Sequence, residues 1–161
     1  MISGSTGREK SSRLRTARVV VSNSSGVATF SFSSTVAETK TLTASADGTT
    51  ITQTATVTVT ASAPSAQQSS ANVPNGMRNQ LTVFTVQLRD MFQNALTRSG
   101  GTVTASVTGK NDGAPVTVVD NSNGTYTGSY TPTAPGNGGT DYINILLEGT
   151  PIGGSPYTSN L

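Results

Sequence analysis

An all-β, immunoglobulin-like antiparallel sandwich is predicted for this chain by three observations. Apolar residues recur at every second position from Arg18 onward, and no stretch carries a helical period. Short runs of this kind are separated by Gly, Asn, Asp and Pro clusters at about 8–12-residue spacing. The polar partners of the alternation are mostly Thr and Ser, 28 and 21 of 161 residues, so a β-branched residue dominates the solvent side. Only 33% of the chain is hydrophobic, but with a net charge of +2 and 11% charged residues it lacks the high charge of a disordered segment.

Taken in order, residues 1–17 form a basic, flexible arm. Arg8, Lys10, Arg13, Arg15 and Arg18 stand against the single acid Glu9, while the remainder of the chain is slightly acidic. The arm lacks interleaved aromatics and amphipathic spacing, so a solvated tail is expected and no nucleic-acid contact. A partial β-domain follows over 18–62. Val27–Ser34 places Ala28, Phe30 and Phe32 on one face, Thr41–Ala46 places Leu42, Ala44 and Ala46, and Ile51–Ala61 places Ala55, Val57, Val59 and Ala61. Asn23–Gly26 and Ala46–Gly48 supply turns. Residues 62–80 are rich in Ser, Pro, Gln and Asn, which reads as a linker and a proline-broken first strand, with a boundary near Pro64.

The second domain occupies 63–161. Phe84, Val86 and Leu88 share a face of Leu81–Arg89, Val103, Ala105 and Val107 a face of Gly101–Gly109, and Val116 and Val118 a face of Ala114–Asp120. Tyr126 and Tyr130 flank Gly128 in Gly124–Thr131. Ile143, Ile145 and Leu147 share a face of Asp141–Glu148. Asp112-Gly113 and Asn123-Gly124 are tight-turn dipeptides because both residue types tolerate positive φ.

Several function classes are excluded by composition. The chain has no His and no Cys, hence no imidazole or thiolate metal site, no Ser-His-Asp or Cys-His catalysis and no disulfide framework. No apolar run approaches the ~18 residues that span a membrane, so no direct membrane insertion is expected. Asp120–Gly124 places oxygen ligands at alternate residues, but a Ca²⁺ loop of this kind needs Gly sixth and Glu twelfth, whereas Gly124 is fifth and Thr131 twelfth. Asp47, Asp90, Asp112, Asp120 and Asp141 sit mostly at turns, and no pair is signalled in a common cleft as glycoside hydrolysis requires. Asp90 is expected as a turn former. No catalytic residue, metal ligand or cofactor is predicted.

Three motifs carry a family resemblance. Asn123–Gly136 (NGTYTGSYTPTAPG) resembles the signature of the filamin-type immunoglobulin-like repeat, carried by Gly124, Tyr126, Tyr130, Pro132 and Gly136. Ser155, Pro156 and Tyr157 are similar to that family's G-S-P-F strand entry, and Phe84–Asn94 (FTVQLRDMFQN) to its opening strand. Two departures stand out. Asp141-Tyr142 replaces an aromatic two residues before Ile143, which predicts a register shift or bulge, and Met91-Phe92-Gln93 replaces a turn that usually holds Gly. Ser25–Thr60 is similar to the C-terminal half of bacterial invasin/intimin-type immunoglobulin-like repeats. A whole repeat needs about 90–100 residues, so strands upstream of Met1 and the end of a longer tandem array are expected.

The resemblance implies a partner peptide that adds as a strand beside Gly101–Gly109, with Val116 and Val118 next to it. The outward residues Thr102, Thr104, Ser106 and Thr108 are small and polar, which favours a protected edge. The leading expectation is a non-enzymatic extracellular or cell-surface spacer or interaction module of an adhesin, its partner a protein or a neighbouring repeat. The alternatives are a cytoplasmic filamin-like scaffold binding partner peptides, and a virion or filament subunit completed by strand exchange.

Overall fold

The computed structural model describes residues 2–3, 20–136 and 138–161, with side chains from residue 20 onward. Of the predicted flexible arm 1–17, Ile2–Ser3 is described and forms a strand, while its basic residues Arg8, Lys10, Arg13 and Arg15, with the neighbouring Arg18, lie outside the described residues. The chain divides into two units, Met1–Thr60 and Ala61–Leu161.

In the first unit, β1 (Ile2–Ser3), β3 (Ser45–Ala46) and β4 (Thr49–Thr50) form one small sheet, and β2 (Thr39–Leu42) pairs antiparallel with β5 (Ala55–Thr58). The β3–β4 hairpin turns on Asp47 and Gly48, both at positive φ (49° and 83°), as a two-residue loop with the right twist requires. The Asn23–Gly26 turn forms as well: Gly26 N donates to Asn23 O, and Asn23 N donates to Val27 O. The predicted strand Val27–Ser34 does not form. Its alternation is intact, but no described strand lies beside it to complete a ladder, and Phe30 is 52% exposed. Alternation marks a segment that fits a sheet; the partner strand decides whether it joins one.

The second unit is a sandwich of two antiparallel sheets. One has the order β6 (Ser70–Asn72), β7 (Thr82–Gln87), β10 (Thr125–Tyr130), β9 (Thr117–Asp120). In the other, β11 (Thr140–Leu147) is central. It pairs with β8 (Val103–Gly109) on one side, and with β12 (Thr150–Pro151) and β13 (Tyr157–Asn160) on the other. Inward residues follow the predicted parity: Phe84, Val86, Leu88, Val107, Tyr126, Tyr130, Ile143, Ile145 and Leu147 are buried. Gly128 faces Phe84 across the β7–β10 ladder, and a Cβ on it would lie 2.1 Å from the ring, so the glycine makes room for the aromatic.

No bulge occurs at Asp141-Tyr142. The β8–β11 register runs unbroken from Asp141↔Gly109 to Leu147↔Val103. Asp141 keeps the inward parity of Ile143 and Ile145, and Tyr142 points out, 43% exposed. The carboxylate is tolerated inside because hydrogen bonds meet it there, so the backbone does not have to shift.

Ser62–Ser69 is held on this unit. Ser62 N donates to Asp90 Oδ2, Ser65 N to Arg89 O, and Ser69 Oγ accepts from Arg89 N. Asp90 is the predicted turn former: its Oδ1 accepts from Phe92 N and Asn94 N, and Asn94 Nδ2 reaches both oxygens. Burial works to raise its pKa, but the hydrogen bonds from Asn94, Ser62 and Phe92 outweigh it and hold the carboxyl below its ordinary value. The turn passes through Gln93 at φ 68°, the left-handed region that disfavours a side chain. Gln93→Gly is expected to stabilise the unit by about 0.5–1 kcal/mol in urea unfolding, since the bond from Arg89 Nη1 uses the Gln93 carbonyl and the side-chain bond that is lost, Gln93 Nε2 to Gln68 Oε1, is solvent-exposed.

Candidate functional site

The candidate site is the pair of sheet edges formed by β8 and β9. The two strands lie against each other but belong to opposite sheets, so Val116 and Val118 do not extend the β8 ladder as adjacent strands would.

The backbone pattern shows which groups each edge offers. Glu148 N donates to Thr102 O, and Lys110 N donates to Thr140 O. Both contacts continue the β8–β11 register, so even-numbered residues of β8 bond to β11. The main-chain groups of Val103, Ala105 and Val107 therefore face the free edge. Val107 O is used there, accepting from Gly113 N. By the same reasoning Asn121 N, which donates to Thr125 O, places Val118 on the free edge of β9. Thr102, Thr104, Ser106 and Thr108 are exposed on the outer face of β8, and Val116 and Val118 are half-buried. Val119 is 53% exposed on the outer face of β9.

Both ends of these edges are fixed. At one end Tyr126 Oη donates to Gly101 O at 2.6 Å, and Thr102 N donates to Glu148 Oε1. At the other, Asp141 accepts from Asn111 N at 2.7 Å, from Asn111 Nδ2 at 2.9 Å and from Tyr130 Oη at 3.0 Å. Asn111 Oδ1 in turn accepts from Thr133 N and Ala134 N. This network ties the β8–β9 connection to the segment after β10, and all three side chains are buried. Sequence reasoning missed it, although the parity of Asp141 with Ile143 was a readable signal of burial.

Burial pushes the Tyr130 hydroxyl up to about 12, with the nearby Asp141 adding to the shift and the polar Ser159 hydroxyl opposing it. Burial raises Tyr126 in the same direction. An unfolded tyrosine ionises near 10 while folded Tyr130 holds its proton to about 12, so stability is present below about pH 10 and is lost as pH rises through that window. A base titration followed by circular dichroism is expected to show this loss, and Tyr130→Phe to reduce it.

The signature residues have structural places. Gly124 takes φ 83° at the end of the β9–β10 hairpin, Pro132 is buried with its carbonyl accepting from Asn79 N, and Gly136 takes φ 92°. Ser155 Oγ accepts from Ile145 N, Pro156 immediately precedes β13, and Tyr157 Oη accepts from Ala71 N and donates to Gly153 O. Asp120–Gly124 is a hairpin turn, with Ser122 N on Asp120 Oδ1 and Thr125 N on Asn123 Oδ1. Among the described residues no group of three or more His, Cys, Asp or Glu could hold a metal ion. No helix among them is long and apolar enough to cross a membrane.

The filamin/ABP280 repeat family matches residues 57–158. Among solved structures, the Lin-41 filamin domain is 35% identical, with a TM-score of 0.52 over 62% of this chain and 96% of that one. FdeC, an Escherichia coli adhesin, is 26% identical with a TM-score of 0.52 over 78% of this chain, which spans 40% of that chain. InvD of Yersinia pseudotuberculosis is 23% identical with a TM-score of 0.55 over 99% of this chain and 45% of that one, a likeness of fold. No curated protein matches in sequence.

Proposed function

This chain belongs to the filamin/ABP280 repeat family, a family of structural and binding modules, and we propose that it serves as a spacer within a tandem immunoglobulin-like array on a cell surface. The observation that carries this reading is the polar finish of the β8 edge. Thr102, Thr104, Ser106 and Thr108 offer no large apolar side chain for a partner to anchor on. The likeness to the adhesin FdeC, which covers more of the chain than the filamin repeat alone, supports the surface setting.

A second reading is favoured by the free main-chain groups of Val103, Ala105 and Val118. They suit β-strand addition by a partner peptide, as a cytoplasmic scaffold of filamin type would use. One titration separates the two. Extended peptides of alternating apolar pattern are added to the isotope-labelled chain and amide shifts are followed. The spacer reading expects no saturable shift. Saturable shifts confined to Val103–Gly109 and Thr117–Asp120 would replace it with the scaffold reading.

A further inference from the structure

We propose that Ala28–Ser33, which joins no strand ladder among the described residues, becomes a strand by pairing with the same segment of a second copy of this chain. The proposal concerns the first unit and does not rest on the spacer reading. Among the described residues, no backbone hydrogen bond involves Ala28 through Ser33. The segment nevertheless has the pattern of a strand. Thr29, Ser31 and Ser33 are exposed, and Ala28 and Phe32 are half-buried, with Phe30 between them 52% exposed. Its start is fixed, because Val27 N donates to Asn23 Oδ1 and Val27 O accepts from Asn23 N.

The charge pattern selects a second copy as the occupant. Nineteen consecutive residues, Val19–Ala37, contain no charge and no proline. Exposed strand edges are ordinarily guarded by Lys, Pro or a bulge, and an aromatic, β-prone, uncharged run without them is the pattern that self-pairs. Antiparallel pairing about a two-fold axis sets this run against itself, Thr and Ser on one face and Phe30 and Phe32 on the other, with no like charges opposed. A charged partner peptide would find no counter-charge here.

The test uses sedimentation and hydrogen exchange on the full chain over a range of concentrations. A monomer–dimer equilibrium is expected, with protection of the Ala28–Ser33 amides rising in step with dimer. Thr29→Lys with Ser31→Lys places like charges across the two-fold and is expected to weaken the dimer at least about tenfold. The Thr29→Glu, Ser31→Glu chain is likewise expected to be monomeric alone, and mixing it with the Lys chain restores pairing, which a misfolded variant would not do. A monomer at all concentrations overturns the proposal, whether these amides are open or are covered from within the chain. So does a dimer indifferent to the Lys and Glu changes.

Discussion

Gly124→Ala is expected to lower the thermal midpoint of the Ala61–Leu161 unit by roughly 10–25 °C. Two costs add. A Cβ at this position would lie 2.0 Å from the Leu96 carbonyl oxygen and 2.4 Å from the Leu96 carbonyl carbon. These are backbone atoms, held because Leu96 N donates to Leu88 O while Leu88 N donates to Gly124 O. Relieving the clash moves both segments, an overpacking cost of about 1–3 kcal/mol. The φ of 83° adds about 1–2 kcal/mol for any L side chain. Gly113→Ala is the control. It has φ 73° with nothing within 4 Å of a Cβ, so it pays only the backbone cost, about 1–2 kcal/mol. Equal losses at the two sites would mean that the close approach of Leu96 does not constrain Gly124.

Asp141→Leu is expected to destabilise the same unit by about 3–5 kcal/mol, a large part of a typical domain's 5–15. Removing the carboxylate leaves Asn111 N, Asn111 Nδ2 and Tyr130 Oη buried without their acceptor. Asp141→Asn keeps one acceptor oxygen and the shape, and Tyr130→Phe removes one donor and leaves Asn111 in place. Each is expected to cost about 1–2 kcal/mol. Leu with Phe in the double variant should cost less than the sum, since replacing both ends of a buried hydrogen bond by apolar groups is cheaper than orphaning one. Denaturant midpoints of the four chains check the order, and a neutral Asp141→Leu would contradict it.

The sandwich was largely legible from period-two parity. Phe84, Val86 and Leu88, Val107, Tyr126 and Tyr130, and Ile143, Ile145 and Leu147 all fall on the inner faces, because half-buried strands impose alternation directly on the residues. Three features were not legible. Asn111 and Asp141 meet across thirty positions, and no local pattern announces a pair that the β8–β11 register creates. Whether β8 and β9 share a sheet depends on topology, since the same alternation serves either placement. Val27–Ser34 reads as a strand but lacks a described partner, and pairing is a property of two segments. In the candidate site, the outward Thr and Ser of β8 could be named from sequence. The free main-chain groups of Val103, Ala105 and Val118 emerged only from the hydrogen-bond phase of the ladders.

A spacer must resist extension, and pulling the full chain from its two ends by single-molecule force spectroscopy measures that property. The 101 residues of Ala61–Leu161 are expected to yield in one cooperative force peak that releases close to their extended length, about 33–36 nm, less the end-to-end distance of the folded unit. Release of that length with no peak above the polymer baseline would contradict the spacer reading.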